Sequence, residues 1–230
     1  TCRFWFYGLH YYELEETMKL NVSLRDGSEK IVDDILKFML PDLNNVFAAA
    51  TEKAESKIKG ILHDNITLDP VYGSLISGRL RYELGIPRTS AINRVVEEIV
   101  DTVQVKAIKL KKTARKLTGG IDITLINVGS NILQDKDAVV NDLERGYMLP
   151  WLKWLLFDGS SPIVMDYHVE FGSFPGNRSR TGGAVMVPGG KWNIDTRFAG
   201  VASNNWLTRA VNKSRSEIVN VISSELKRSL

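Results

Sequence analysis

The run from Ser203 to Leu230 constrains the fold more than any other stretch, because it reads as one unbroken amphipathic helix. Trp206, Leu207, Ala210, Val211, Ile218, Val221, Ile222 and Leu226 form an apolar stripe, while Arg209, Lys213, Arg215, Glu217, Lys227 and Arg228 occupy much of the rest. Ser203, Asn204 and Asn205 offer oxygens to cap its first turn, and the two cations near its end suit the helix dipole. A helix of about 25 residues is roughly 40 Å long. That length outruns what a small domain covers, so its tail is expected against a neighbouring subunit. Ahead of it, Ile163 to Gly172 reads as a strand, with Tyr167, Val169 and Phe171 on one face and His168 and Glu170 on the other. A glycine- and arginine-rich loop from Pro175 to Gly190 follows, then a further short strand at Trp192-Asn193-Ile194.

The first half is mostly helical in pattern. Residues 3 to 12 are crowded with aromatics, including Phe4, Trp5, Phe6, Tyr7, Tyr11 and Tyr12, and favour a strand. With both faces apolar it belongs either inside this fold or in an arm added to another subunit's sheet. Met18 to Arg25 alternates apolar and polar, as a half-buried strand does, and Asp26-Gly27 ends it. Asp26 or Ser28 then caps a helix through Met39, with Ile31, Ile35, Leu36 and Phe38 as its apolar positions. Pro41-Asp42 is expected to break it and start a second helix over about 42–66, where apolar residues recur every three or four positions. A third helical segment follows Pro70 and stops near Gly85-Ile86-Pro87, and a fourth spans Ser90 to Asp101 with Ile92, Val95, Val96 and Ile99 inward.

From Val103 to Leu117 a helical rhythm competes with a strand pattern. The strand reading pairs this segment with Ile121–Leu125 across Gly119-Gly120. Met148 to Leu156 reads as a short buried helix anchored by Trp151 and Trp154, and Asp158 to Pro162 as a turn. The expected fold is α+β: a small antiparallel or mixed sheet packed with long amphipathic helices, ending in a carboxy-terminal helix. With no repeat or linker, 230 residues are expected to form a single domain. Its regions are aromatic strands over 1–27, helices over 28–101, a sheet with an insertion over 102–162, and a strand–loop–helix unit over 163–230.

Composition narrows the functional classes. Thirty basic side chains against 27 acidic ones leave a net charge of +3, too balanced for a concentrated nucleic-acid binder. The single cysteine, Cys2, excludes an internal disulfide framework and suits a reducing compartment. No apolar run reaches the roughly 18 residues that span a bilayer, so no membrane partner is expected. The first residues lack the aliphatic core and cleavage site of a signal peptide, and the small Thr1 fits a removed initiator methionine.

No catalytic, cofactor-binding or metal-binding constellation emerges. His10, His63 and His168 lie far apart, without ligand spacing. Gly159-Ser160 and Gly172-Ser173 lack the flanking glycines of a nucleophile elbow, and Cys2 has only His10 nearby. Pro188-Gly189-Gly190-Lys191 lacks both the first glycine and the Ser or Thr of a phosphate loop. Glu15-Glu16 and Glu97-Glu98 read as ordinary surface carboxylates. Two basic features stand out instead. Arg178, Arg180, Gly182 and Gly183 can meet an acidic partner surface through guanidinium forks and bare backbone. The run from Lys106 to Lys116, with Lys109, Lys111 and Lys112 at its centre, holds no acid. It is either a solvated strand edge defended by lysine or a track for a nucleic-acid backbone.

Three segments, in order, carry a family likeness. They are Gly78-Arg79-Leu80-Arg81, the strand end Val169-Glu170-Phe171-Gly172, and the helix start Trp206-Leu207-Thr208-Arg209-Ala210. Together with the early amphipathic helix they resemble the phage tail-completion family, small virion proteins that join the head connector to the tail. The likeness covers about half the chain. The aromatic amino terminus and the region from Pro87 to Phe157 are additions to the family's short form, and Arg180-Thr181-Gly182-Gly183 stands where that form is marked by proline. The resemblance implies a structural protein of the virion, assembled in the host cytoplasm, whose copies form a ring at the head–tail junction and dock on connector and tail rings. It implies neither turnover nor a cofactor. The place in the virion stays open among completion protein, tail terminator and another neck component. Arg178 and Arg180 would contact a partner, Trp5 and Phe6 of the aromatic arm or else the last helix would bridge subunits, and, in a ring around DNA, the lysine run would face the channel. The reading from another class is a nucleic-acid-binding protein using that same run.

Overall fold

The computed structural model describes residues 2–4, 12–14, 29–113, 116–142, 147–161, 163–176 and 178–230. Two three-residue strands, β1 (Cys2–Phe4) and β2 (Tyr12–Leu14), pair antiparallel with Phe4 opposite Tyr12. The expected strand at Met18–Arg25, and Asp26 and Ser28, the caps expected for the following helix, lie outside the described residues.

Helix α1 (Glu29–Thr67) is continuous, with Pro41 inside it. The expected break there is not made. Proline removes the N–H that would bond to the Lys37 carbonyl and crowds the preceding turn. The apolar stripe nevertheless runs unbroken through it, with Leu36, Leu43, Phe47, Ala50, Ala54 and Ile58 all buried. Tertiary burial overrides the local breaker. Asn44, one turn on, ties the region down: its side-chain amide donates to the Leu40 carbonyl at 3.0 Å, and its oxygen accepts from the Leu110 N–H at 2.8 Å. The inward set expected for the first part of this helix is largely wrong. Leu36 is buried beside Val32, but Ile31, Ile35 and Phe38 are exposed, because the stripe that continues past Pro41 lies on Leu36's side.

Helices α2 (Pro70–Ile76) and α3 (Arg79–Glu83) replace the single segment expected after Pro70. Asp69 caps α2, its carboxylate accepting from the Val71 N–H at 2.9 Å, with Pro70 at the first helical position. The chain breaks at Ser77-Gly78, where a Cβ on Gly78 would lie 2.7 Å from the Ser74 Cα. Gly85, at φ 66°, follows α3 where the stop was expected. Helix α4 (Thr89–Asp101) buries Ile92, Val95, Val96 and Ile99 as its periodicity predicts.

The segment after it is strand, β3 (Gln104–Thr113), antiparallel to β4 (Lys116–Thr124). The turn is not at Gly119-Gly120, which lie within β4. Ile108 pairs with Gly120 and Lys111 with Thr118, so the register slips between them. A Cβ on Gly119 would come 2.8 Å from the Leu110 Cα, so these glycines serve the bulge, not a turn.

Helix α5 (Ser130–Leu133) precedes the short strands β5 (Val140–Asp142) and β6 (Tyr147–Leu149). Met148 is therefore an exposed strand residue and not the start of a buried helix. Helix α6 (Trp151–Lys153) passes into a π-helical turn, Trp154–Asp158. Trp151 is fully buried and donates its indole N–H to the Asp137 carbonyl at 2.9 Å. Arg94 grips the Asp137 carboxylate with two bonds of 2.5 and 2.8 Å. That pairing holds the carboxyl below its ordinary range.

Strands β7 (Val164–Phe171) and β8 (Ala184–Trp192) form the last hairpin, and the intervening loop is shorter than the Pro175–Gly190 expected, because Ala184–Gly190 is strand. Trp192 ends β8; Asn193 and Ile194 are not strand. Helix α7 (Trp206–Ser229) closes the chain. Of the three offered caps, buried Asn205 is used. Its side-chain oxygen accepts from Leu207 and Thr208, and its own N–H donates to the Thr208 hydroxyl at 2.8 Å.

The fold is α+β, and every ladder among the described residues is a two-stranded antiparallel one. The residues cluster into two compact units interleaved along the chain. The first draws on Thr1–Ile61, Thr102–Asn127 and Arg215–Leu230, the second on Leu62–Asp101 and Val128–Ser214. In the first unit the tail of α7 is covered by its own chain. Ile218, Ile222 and Leu226 are buried, and buried Glu225 takes the Lys57 ammonium at 2.6 Å. The expectation that this tail needs a neighbouring subunit is thereby corrected. Among the described residues no helix is long and apolar enough to cross a membrane.

Candidate functional site

The site is built in the second unit, where α3 meets the β7–β8 hairpin. Because Gly78 breaks the chain after α2, α3 starts with Arg79 and places Glu83 one turn on. The Arg79 Nε meets Glu83 at 2.8 Å, while its guanidinium carbon lies 4.2 Å from the centre of the Phe171 ring. The first two segments of the family likeness thus touch, through an arginine stacked on an aromatic. Arg209, in the third segment, has its Nε 3.5 Å from the Asp69 carboxylate that caps α2.

Charge around this contact is unevenly held. Burial raises the Glu83 carboxyl above its ordinary range, against the pull of Arg79. Asp195 and Arg197 also act on it. Asp195 pairs with Arg197 at 2.7 Å and accepts the Arg197 N–H, and its carboxyl is lowered to about 2.

The loop between β7 and β8 is bound to itself. Buried Ser179 donates its hydroxyl to the Ala184 carbonyl at 2.6 Å and accepts the Gly182 N–H at 3.0 Å. Phe174 N–H bonds to the Gly182 carbonyl at 2.9 Å and Gly172 N–H to that of Gly183 at 3.1 Å. Gly182 sits at φ 74°, in the left-handed region glycine favours. Gly183 lies against Tyr82 so closely that a Cβ would come 2.5 Å from the ring. Arg178 and Arg180 are exposed on this framework, and an Arg180 Nη lies 3.6 Å from where a Gly85 Cβ would stand.

The hairpin differs most from expectation. Tyr167, Val169 and Phe171 share a face with Pro188, Met186 and Ala184 across the ladder, yet of these only Ala184 is buried, and Tyr167, Phe171 and Met186 are 44%, 40% and 43% exposed. A two-stranded ribbon with no third strand cannot cover both of its faces. The register slips between Met165 and Tyr167, where Asp166, at φ 63°, stands opposite two residues of β8, and Met165 is exposed as well.

Other candidate residues fall elsewhere. Trp5 and Phe6, like His10 and Glu15-Glu16, lie outside the described residues. Lys109 and Lys111 are exposed on β3, whereas the Lys112 ammonium is bound to Asp33. His63 is exposed near the end of α1, and His168 Nδ1 lies 2.7 Å from the Gly189 carbonyl. The Gly189-Gly190-Lys191 run belongs to β8. Glu97 and Glu98 are exposed; burial, with Asp135 and Asp137 nearby, raises the Glu98 carboxyl. Among the described residues no three His, Cys, Asp or Glu side chains assemble as a metal-binding group.

Sequence reading missed Glu83, Tyr82 and the Asp195–Arg197 pair. The i, i+4 spacing of Arg79 and Glu83 was the available signal for the first. Nothing local announces that Tyr82 packs on a glycine a hundred residues away. No protein-family model matches the chain, and neither does any curated protein or solved structure.

Proposed function

We propose that this chain is a structural protein of a tailed-phage virion, of the tail-completion or neck type. Its copies form a ring at the head–tail junction, with connector and tail proteins as partners. The observation that carries the reading is the hairpin: an exposed apolar face ending at Phe171, under Arg79 and beside a rigid loop that presents Arg178 and Arg180. Exposed apolar surface beside cations suits a protein partner more than a small molecule, since it offers broad contact and no enclosure. The contact of Arg79 with Phe171 gives the two motif segments a physical reason to occur in one chain.

The loop's role is tested by changing Arg178 and Arg180 together to alanine. Backbone bonds and Ser179 hold the loop itself, and thermal unfolding of the variant checks that the protein stays folded. Joined particles should fall at least tenfold in yield, with heads and tails accumulating separately. Normal yields of joined particles would remove the loop from that role.

A further inference from the structure

The β3–β4 ribbon of the first unit carries a surface that the contacts proposed for the β7–β8 hairpin do not use. Its inward side is apolar, with Val105, Leu110, Leu117, Ile121 and Ile123 buried. It is latched to α1 by the Asn44–Leu110 bond, by a 3.3 Å bond from the Val105 N–H to Glu55, and by Lys112 on Asp33. Its outward side shows Lys106, Lys109, Lys111 and Lys116, with Thr113 and Thr118 between them. The register slip after Ile108 shifts the outward set by one residue, so Lys106 before it and Lys109 and Lys111 after it are all exposed, and the bulge concentrates cations. One acid faces them: Asp122 lies opposite Lys106 in the ladder.

We propose that this outward face binds the phosphate backbone of duplex DNA, through Lys109, Lys111 and Lys116. Alternate residues on a strand stand about 7 Å apart. Phosphates on one DNA strand rise about 3.4 Å each along the axis and also wind around it, so adjacent phosphates stand farther apart than the rise and suit lysines at that spacing. A two-stranded ribbon is also narrow enough for the major groove. Lys112 is excluded, because its charge is already spent on Asp33. The proposal stands apart from the joining role, since it concerns the isolated chain.

The test is fluorescence anisotropy of the full chain with a short duplex DNA over a salt series. Three phosphate contacts give a log–log slope of about −2.7, or roughly a 40-fold loss of affinity between about 50 and 200 mM salt. Changing Lys109 and Lys111 together to alanine should reduce the slope to about −0.9. Lys112→Ala should leave it unchanged, and Asp33 keeps Lys37 at 2.7 Å as a partner, so the fold is not put at risk. The proposal is overturned by no binding at low salt, by a slope that Lys112→Ala lowers as much as the pair does, or by equal binding to poly-glutamate. The last result would make the face a site for acidic protein.

Discussion

A methyl group at Gly78 would press on Ser74, and one at Gly183 on Tyr82, so two absent side chains set where α3 begins and how the basic loop lies on it. The first glycine was visible in sequence as part of a motif. The second was visible only as loop composition, because its reason is a contact from another part of the chain. Asp195 gives a residue-scale prediction. Arg197 lowers its carboxyl from the ordinary 3.8 to about 2. The stabilisation is present above 3.8 and is lost as pH falls toward 2, where the folded form also takes up its proton. Chemical denaturation of the wild type and Asp195→Asn should differ by about 0.2–1 kcal/mol at neutral pH, the range of a screened pair. The difference should vanish by about pH 2. A difference that grew on acidification would contradict the assignment.

At the scale of elements, period was legible and burial was not. The stripe of α4 and the capped start of α7 were readable because one apolar face repeats over several turns. At β3 a strand pattern competed with a helical rhythm because the bulge interrupts its period, and its turn was misplaced. Gly119-Gly120 meets a bulge through the same backbone freedom that suits a turn, and composition does not separate the two. For β7 the alternation was correct, yet no local pattern states that a third strand is missing. Pro41 makes the point testable. Proline costs about 3 kcal/mol relative to alanine in a helix interior. Pro41 is exposed, so Pro41→Ala should raise the unfolding midpoint, with a gain of up to about 3 kcal/mol. A lower midpoint would mean that the proline is needed for the Asn44–Leu110 contact.

At the scale of the molecule, each unit has its own buried core and leaves one polar or amphipathic ribbon face outward: lysines and threonines on β3–β4, apolar and aromatic side chains on β7–β8. These faces are what a chain built to be covered would present, and the joining role assigns the second to neighbouring proteins. The order of motif segments in the sequence suggests that role, and the exposed face of the hairpin is the surface we propose for it. Quantitative mass spectrometry of purified tailed particles from cells expressing this gene tests the role most directly. The account predicts peptides of this chain in every particle, at a fixed ring-like copy number of several per particle, and their depletion from particles that lack tails. Particles with joined heads and tails that contain none of it would contradict the account.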